Sequence, residues 1–487
     1  MSHCALRRAA LGAALVSCWA GVPARAQEPM TLAQVVAMAL ERGLQARAAE
    51  ATRDAARARD REFHSRLLPQ LSLSGNLPAY DRSIIPVVQP DGSTLFLPLD
   101  QTTTSMNARL EQALPLTGGS FFVESQLSRL SITGAQEIKT WRSRPVTFGI
   151  SQPILRPNIT GWNGREQPVR AELAERQFRE AREDIALRTA DLFFDVYAAE
   201  VTLATATNNA AVNDTLYTLN KGRYEVGRIG ENDLLQSELA LLRSRTTLDG
   251  ARLEHRQALA ALRIALHLAP DAPLAIVGPE RTPEIQADTL VAVAQALRNR
   301  ASVSDVELQR VQADRRVVDA RLNNGFGATV NASYGYNTTA DNFDLAYRNL
   351  QESRALTLSV DIPLWQWGAR GENVAAAKAD RDRVESNAQA TLDQTAHEAH
   401  FAALQLAQAR RSLLLSATAD TVAGKRFEVA YNRYVIGRIT IDILYIAQQE
   451  KDQARTQYVN ALRNYWQAYY RLRRLTLYDF EADRPIL

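Results

Sequence analysis

Histidine and carboxylate side chains are the first candidates for metal or acid–base chemistry, and one short segment combines them. His397-Glu398-Ala399-His400 places two imidazoles at i and i+3, which is one face of a helix. The zinc pattern H-E-x-x-H has its two imidazoles at i and i+4. No other histidine lies near this segment in the sequence. We therefore interpret the pair as surface or interface residues and expect no metal site.

Motifs for phosphate, dinucleotide or covalent chemistry are missing from the sequence. It contains no G-x-x-x-x-G-K-[ST] loop, no G-x-G-x-x-G turn and no G-x-S-x-G elbow. The two cysteines, Cys4 and Cys18, both lie near the N-terminus. The rest of the chain therefore has no disulfide, thiolate zinc site or cysteine nucleophile. We expect neither enzymatic activity nor a cofactor.

The first 26 residues are typical of a secretory signal peptide. Arg7 and Arg8 precede an apolar stretch, and Ala24-Arg25-Ala26 forms an A-x-A cleavage site. The alternative is a lipobox-like Leu15–Cys18, with Cys18 as the lipidated residue. Without the three arginines of this segment, the 57 basic residues fall to 54 and equal the 54 acidic residues. A neutral mature chain gives no support for nucleic-acid binding.

Two segments of the chain recur at one separation of 210 residues. RYEVGRI at 223–229 recurs as RYVIGRI at 433–439, and VTFGISQP at 146–153 recurs as LTLSVDIP at 356–363. Two matches at one offset indicate a tandem duplication. We expect a signal peptide at 1–26, a first repeat at 27–280 and a second repeat at 281–487.

Each repeat has the same predicted order: helix, strand, very long helix, glycine turn, helix. Helical patterns are predicted at 32–66, 169–222, 231–267, 290–322, 374–434 and 441–475. Period-two strands are predicted at 68–76, 146–155, 329–336 and 356–364. The first repeat also has a predicted hairpin, 106–116 and 120–130, around Thr117-Gly118-Gly119. This hairpin either adds two barrel strands, for six per chain, or forms an outer loop.

One chain cannot provide all the neighbours that these helices and strands need. A helix of the predicted length spans about 80 Å and needs neighbours along all of it. No run of 18 apolar residues follows the signal, so we expect no membrane-spanning helix. A closed β-barrel is the other structure that can cross a membrane. Four or six strands do not close one, so we expect a cyclic oligomer.

The ordered set of motifs resembles the TolC family of outer-membrane efflux proteins over nearly the whole mature chain. The resemblance rests on Met30-Thr31-Leu32, on Leu67–Leu73, on Ser151–Ile154 and on the paired Tyr-x-x-Gly-Arg turns. It implies a mainly α fold, with long antiparallel hairpins forming a periplasmic α-barrel and a homotrimer assembling a transmembrane β-barrel. It also implies contact with outer-membrane lipid and, as partners, a periplasmic adaptor protein and an inner-membrane transporter.

The resemblance makes the two glycine turns the expected adaptor-docking tips. The matching residues are Val226, Gly227, Arg228, Ile436, Gly437 and Arg438. Each glycine is expected to be a left-handed helix C-cap, and a plain hairpin turn without a binding role would need the same residue. The arginine after each glycine departs from the smaller or apolar residue expected in the family. The identity of the adaptor therefore stays open.

The resemblance also implies a gate near the tips, for which the candidates are Tyr434, Asp233 and Asp442. Asp442 follows Gly437 by five positions, one fewer than expected, and one position turns a side chain by about 100° on a helix. It is either a gate residue facing the lumen or a surface charge facing a neighbouring helix. We expect an outer-membrane exit duct for efflux or secretion. The alternative is a periplasmic coiled-coil scaffold without a membrane barrel.

Overall fold

The structure, a computed structural model, describes residues 29–133, 137–279 and 282–486. The predicted signal peptide, its two possible cleavage sites and both cysteines lie outside these residues. Along the described part of the chain, no helix is both long enough and apolar enough to cross a membrane.

The elements follow the predicted order. The helices are α1 (Leu32–Arg42), α2 (Leu44–Arg66), α3 (Ile159–Glu225), α4 (Glu231–Ala265), α5 (Thr289–Asn299), α6 (Ala301–Asn323), α7 (Ala369–Val435) and α8 (Ile441–Thr476). The strands are β1 (Gln70–Val88), β2 (Thr94–Leu114), β3 (Gly119–Thr133), β4 (Ile138–Ile154), β5 (Gly327–Ala340), β6 (Gln351–Asp361), β7 (Tyr478–Asp479) and β8 (Arg484–Pro485).

The longest elements, α3 and α7, have 67 residues each, or about 100 Å at 1.5 Å per residue. The predicted start of the first long helix at residue 169 is wrong. The helix begins at Ile159, where the Asn158 side chain caps it by accepting from the Gly161 N–H at 2.7 Å. Pro168 lies inside α3 without a backbone N–H. Helices α2 and α6 pack against α3, and we attribute the continuity of the helix through Pro168 to this packing.

Each shorter helix predicted before a strand is divided into two helices, of 11 and 23 residues. The division falls at Gly43 and, 257 positions later, at Arg300, where both residues are extended. A Cβ on Gly43 would lie 2.4 Å from the Ala39 carbonyl oxygen. Helical periodicity continues across both breaks, so the prediction of one helix at 32–66 and another at 290–322 is wrong in this detail.

The six long strands form one antiparallel sheet in chain order, from β1 to β6. The predicted hairpin therefore adds two strands, β2 and β3, to the same sheet, and the outer-loop alternative is wrong. Strand β1 begins 257 positions before β5, whereas α3 begins 210 positions before α7. The difference of 47 residues is the length that this hairpin adds to the first repeat.

Strand β1 continues to Val88, past the predicted end at residue 76, and contains Pro78 and Pro86. Proline is tolerated in a sheet where its missing N–H faces no partner. Within one chain, strand β1 is at an edge of the sheet, and Pro78 lies at a register shift between Asn76 and Ala79, where proline is also tolerated.

Two apolar clusters hold the helices together. The larger lies where the short helices meet the long ones and includes the fully buried Phe193, Phe194, Leu262 and Tyr465. The smaller lies near the glycine turns and joins α3, α7 and α8 through residues such as Leu216 and Leu444. Burying one such side chain stabilises the fold by roughly 1.5–3 kcal/mol.

Candidate functional site at the helix tips

The two glycine turns have the same backbone geometry. In each, the glycine N–H donates to the tyrosine carbonyl three residues earlier at 2.9 Å, and the next arginine N–H donates to an arginine carbonyl at 2.8 Å. Gly227 and Gly437 have φ of +67° and +77°. Both are therefore left-handed caps closing a Schellman motif, which confirms their predicted conformation.

The residues beside these glycines form two exposed tips. Val226 and Ile436 are 68% and 64% exposed, and Arg228 and Arg438 are also exposed. Nothing lies within 4 Å of a Cβ added at either glycine. The backbone conformation, and not a lack of space, is what requires glycine there. Each tip therefore offers an apolar side chain and a guanidinium to a partner.

A buried hydrogen bond links the two repeats just behind the tips. The Tyr434 hydroxyl of α7 donates to Asn220 Oδ1 of α3 at 2.6 Å, and Tyr434 is only 4% exposed. Arg223 donates to the Val435 carbonyl oxygen at 2.8 Å, and its guanidinium lies 5.2 Å from the Tyr434 ring centroid. These contacts thus hold the C-terminal ends of α3 and α7 together.

The two carboxylate candidates lie at the start of the returning helices. Gln236 Nε2 of α4 donates to Asp442 Oδ1 of α8 at 2.6 Å. Asp442 is exposed and contacts a neighbouring helix of the same chain. Asp233 is half-buried in the first turn of α4, where free backbone N–H groups favour a negative charge. Asp442 and Tyr434 therefore both belong to contacts between the two repeats.

Sequence reasoning missed Asn220, Arg223 and Gln236. Comparison of the two repeats holds part of the missing signal. The counterpart of Asn220, 210 positions later, is Ala430, and the counterpart of Tyr434 is Tyr224, which is 41% exposed. Matched side chains of the two repeats thus differ in polarity or in exposure where the repeats contact each other.

Another polar contact between the repeats lies farther from the tips. Asn209 of α3 donates to Asp452 of α8 at 2.5 Å. Burial raises the pKa of the Asp452 carboxyl above its ordinary value, and the hydrogen bond from Asn209 opposes that shift. Burial likewise raises the pKa of the nearby Tyr445 hydroxyl.

The histidine pair on α7 has ordinary surroundings. His397 and His400 flank Phe401, with ring centroids 4.5 Å and 5.3 Å from it. Glu398, between them, accepts from Arg300 Nη1 at 2.7 Å. The segment therefore lies at the interface between α7 and the start of α6.

The sheet at the other end of the long helices has one apolar and one polar face. On β6, Leu356, Leu358 and Val360 share a face and are 76%, 60% and 46% exposed. They lie opposite Ala332, Val330 and Ala328 of β5. The alternate positions, Thr357, Ser359 and Asp361 opposite Asn331, Thr329 and Gly327, are mainly polar. This alternation is typical of a strand between lipid and a water-filled lumen.

Aromatic side chains border the apolar face at both ends. Tyr334 and Tyr336 lie at one end, with ring centroids 6.0 Å apart, and Trp365 and Trp367 lie at the other, 5.1 Å apart. Strand β6 has 11 residues, and a strand that crosses a membrane needs about 9–11 residues. The length of β6 therefore matches that of a strand in an outer-membrane barrel.

The inserted hairpin places a charged group on the polar face. Arg109 donates to Glu111 at 3.1 Å and to Glu124 at 3.2 Å, and its guanidinium lies 3.9 Å from the Phe122 ring centroid. The Phe122 ring in turn covers Gly149, where an added Cβ would overlap it. The hairpin is therefore packed onto β4 as part of the sheet.

Comparison with known proteins gives a consistent result. Residues 120–266 match the family model for outer membrane efflux protein. No curated protein sequence matches the chain. The fold is similar to that of the Campylobacter jejuni CmeC outer membrane channel, with TM-score 0.66, 17% identity, and 94% of this chain and 87% of that chain covered.

Two further solved structures share the fold. The Vibrio cholerae outer membrane protein VceC has TM-score 0.64 and 16% identity, with 91% of this chain and 95% of that chain covered. The open state of the Neisseria gonorrhoeae MtrE outer membrane channel has TM-score 0.62 and 14% identity, with 91% and 88% covered. Residues 120–266 therefore resemble the outer membrane efflux protein family, and the chain shares the fold of these outer membrane channels, in agreement with the predicted resemblance to the TolC family.

Proposed function

We propose that this protein is an outer-membrane exit duct, through which a substrate leaves the cell by efflux or secretion. The observation that carries the proposal is the joining of two structures in one chain. A sheet with a lipid-type apolar face continues directly into helices of 67 residues. The sheet crosses the outer membrane, and the helices extend the passage into the periplasm.

The working unit is a homotrimer. Among the residues that the structure describes, one chain supplies six strands to this sheet and leaves both of its edges unpaired, and unpaired backbone groups are not stable in lipid. Three copies provide enough strands to close a barrel of porin size. The same assembly surrounds a lumen with the six long helices, whose faces otherwise stay open.

The tips formed by Val226, Gly227 and Arg228, and by Ile436, Gly437 and Arg438, dock a periplasmic adaptor protein. Their exposed apolar side chains supply contact area, and the two arginines favour an acidic surface on the partner. The adaptor connects the duct to an inner-membrane transporter, which supplies the energy.

Tyr434, Asp233 and Asp442 belong to the gate of the duct. The bond from Tyr434 to Asn220 and the bond from Gln236 to Asp442 hold the hairpin of one repeat against the hairpin of the other. Opening the periplasmic mouth requires these hairpins to move apart, so both bonds favour the closed state.

Membrane fractionation tests the duct against the alternative of a periplasmic scaffold. We expect the protein in the outer-membrane fraction, with a gel mobility that changes on heating, because closed barrels resist unfolding by detergent. A soluble coiled-coil protein would appear in the periplasmic fraction with one mobility, and that result would overturn the proposal.

A further inference from the structure

The two open edges of the sheet belong to different repeats. Strand β1, which starts the sheet, is in the first repeat, and strand β6, which ends it, is in the second. An edge strand presents unpaired N–H and C=O groups that pair readily with another strand. In the proposed trimer, β6 of one chain meets β1 of a second copy.

The chain already contains one junction of this kind. Strand β4 ends the first repeat's part of the sheet and pairs with β5, which starts the second repeat's part. In that junction Ser151 lies opposite Asn331, and Gln152 lies opposite Val330. The junction between chains joins the same two repeats in the opposite order.

The duplication relates the residues of the two junctions. Strand β6 matches β4 at an offset of 210, the offset of the repeated sequence motifs and of α3 and α7. Strand β1 matches β5 at an offset of 257, the offset of α1 from α5 and of α2 from α6. Ser151 thus corresponds to Asp361, and Asn331 corresponds to Ser74.

We infer that β6 pairs with β1 of a second copy in the register that places Asp361 opposite Ser74. The same register places Ile362 opposite Leu73 and Leu364 opposite Leu71. This inference rests on the proposed trimer and specifies how its chains join. Three copies joined in this way close a barrel of eighteen strands, six from each chain.

The chemistry of the two edges independently favours this register. Leu71 and Leu73 on β1 are 76% and 68% exposed, and Ile362 and Leu364, beyond the end of β6, are 56% and 89% exposed. The inferred register places these apolar side chains on one face, continuous with the apolar face of β5 and β6. A slip of one residue would place the leucines of β1 on the polar face of β6.

The packing of the helices next to the sheet is consistent with the same arrangement of chains. Helix α6 packs against both α7 and α3, whereas its counterpart α2 packs against α3. A second copy joined through β6 and β1 would bring an α7 to the free side of α2. In the described part of the chain, one side of α2 and one edge of β1 have no neighbour, and the same second copy would cover both.

Disulfide cross-linking tests the register, because residues 27–487 contain no cysteine. The double variant Ser74→Cys with Asp361→Cys should form disulfides between chains, since opposite residues in adjacent strands have Cβ atoms about 4.5–5.5 Å apart. The displaced control, Ser74→Cys with Ser359→Cys, lies about 7–8 Å apart diagonally in this register and should cross-link poorly. The reference pair, Ser151→Cys with Asn331→Cys, has the equivalent geometry within one chain.

The readout is the yield of covalent trimer on a denaturing gel after mild oxidation of outer membranes. We expect at least tenfold more trimer from the first variant than from the displaced control, with the reference pair oxidised within single chains. Equal or greater cross-linking in the displaced control would overturn the register. No cross-link in a variant that still forms conducting trimers would also overturn it. Loss of the trimer in the unmodified protein would instead overturn the proposed function.

Discussion

At the scale of single residues, the Tyr434 hydroxyl connects the two repeats near the mouth of the duct. Its bond to Asn220 is 2.6 Å long and buried. Tyr434→Phe leaves the Asn220 amide without this donor, which costs about 1–3 kcal/mol in a buried setting. We predict a higher basal conductance in planar bilayers. The matched control is Tyr224→Phe, at the equivalent but exposed position of the first repeat; a similar rise in both variants would contradict a specific role.

Asp442 provides another contact between the repeats near the tips. Asp442→Ala removes the acceptor for Gln236 Nε2, and we predict that basal conductance rises. The exposure of Asp442 limits the effect, because water replaces a lost surface hydrogen bond at little cost, about 1 kcal/mol. Gln236→Ala should produce the same change, and the double variant should add little to either. Unchanged conductance in Asp442→Ala would leave Asp442 as a surface charge.

Asp452 makes the stability of the helical bundle depend on pH. Burial raises the pKa of its carboxyl in the folded protein above the unfolded value. Its contribution to stability is therefore fully present below the unfolded pKa and is lost as pH rises through the folded pKa. We predict that Asp452→Asn, which stays neutral, raises Tm at pH 7.5 but has little effect at pH 4. Thermal unfolding followed by circular dichroism measures both values, and an equal change at both pH values would contradict the assignment.

Only part of the tip could be predicted from the sequence. The left-handed conformation of Gly227 and Gly437 follows from local chain reversal, which is a property of the turn itself. The partners Asn220 and Gln236 lie more than 200 positions from Tyr434 and Asp442 along the chain. Their contacts depend on how the long helices pack, and no local spacing indicates that packing.

At the scale of elements, the two tips place a guanidinium beside an exposed apolar side chain. Arg228→Glu combined with Arg438→Glu reverses both charges and keeps the glycine turns. If the adaptor surface is acidic, we predict a loss of export of at least tenfold, with normal amounts of trimer in the outer membrane. Gly227→Pro or Gly437→Pro should also abolish export, because proline cannot adopt the positive φ of these turns.

Lys substitution is the matched control for the tips. Arg228→Lys with Arg438→Lys retains both charges and should largely retain export, although lysine lacks the planar fork of arginine. Full export from the double Glu variant would contradict a docking role of the arginines. Full export from both proline variants would contradict a docking role of the turns.

The sequence predicted the type of each long element better than its ends. Helical and period-two patterns identified the long helices and the strands because each has one apolar face. The sequence pattern did not indicate the breaks at Gly43 and Arg300, because apolar residues recur at helical spacing on either side of them. The helix that contains Pro168 was predicted to start too late, and the strand that contains Pro78 was predicted to end too early. Tertiary packing in the first case, and a sheet edge with a register shift in the second, tolerate the missing N–H.

At the scale of the whole molecule, the duplication is incomplete. The long helices repeat at one offset and the shorter helices at another, and the 47-residue difference is the hairpin of β2 and β3. The hairpin widens the sheet but adds nothing to the helices. In the proposed trimer, the membrane part would therefore be wider relative to the helical part than four strands per chain would make it. We expect passage to be limited at the helical mouth, where the contacts of the proposed gate lie.

The most direct test of the account is to measure size and conductance on one preparation. Purified protein in detergent should run as a trimer of the 54.0 kDa chain, less its signal peptide, and should form channels in planar bilayers. Opening should increase in Tyr434→Phe, because the gate and not the barrel limits flow. A monomer without channel activity would contradict the central claim that three copies of this chain form an outer-membrane duct.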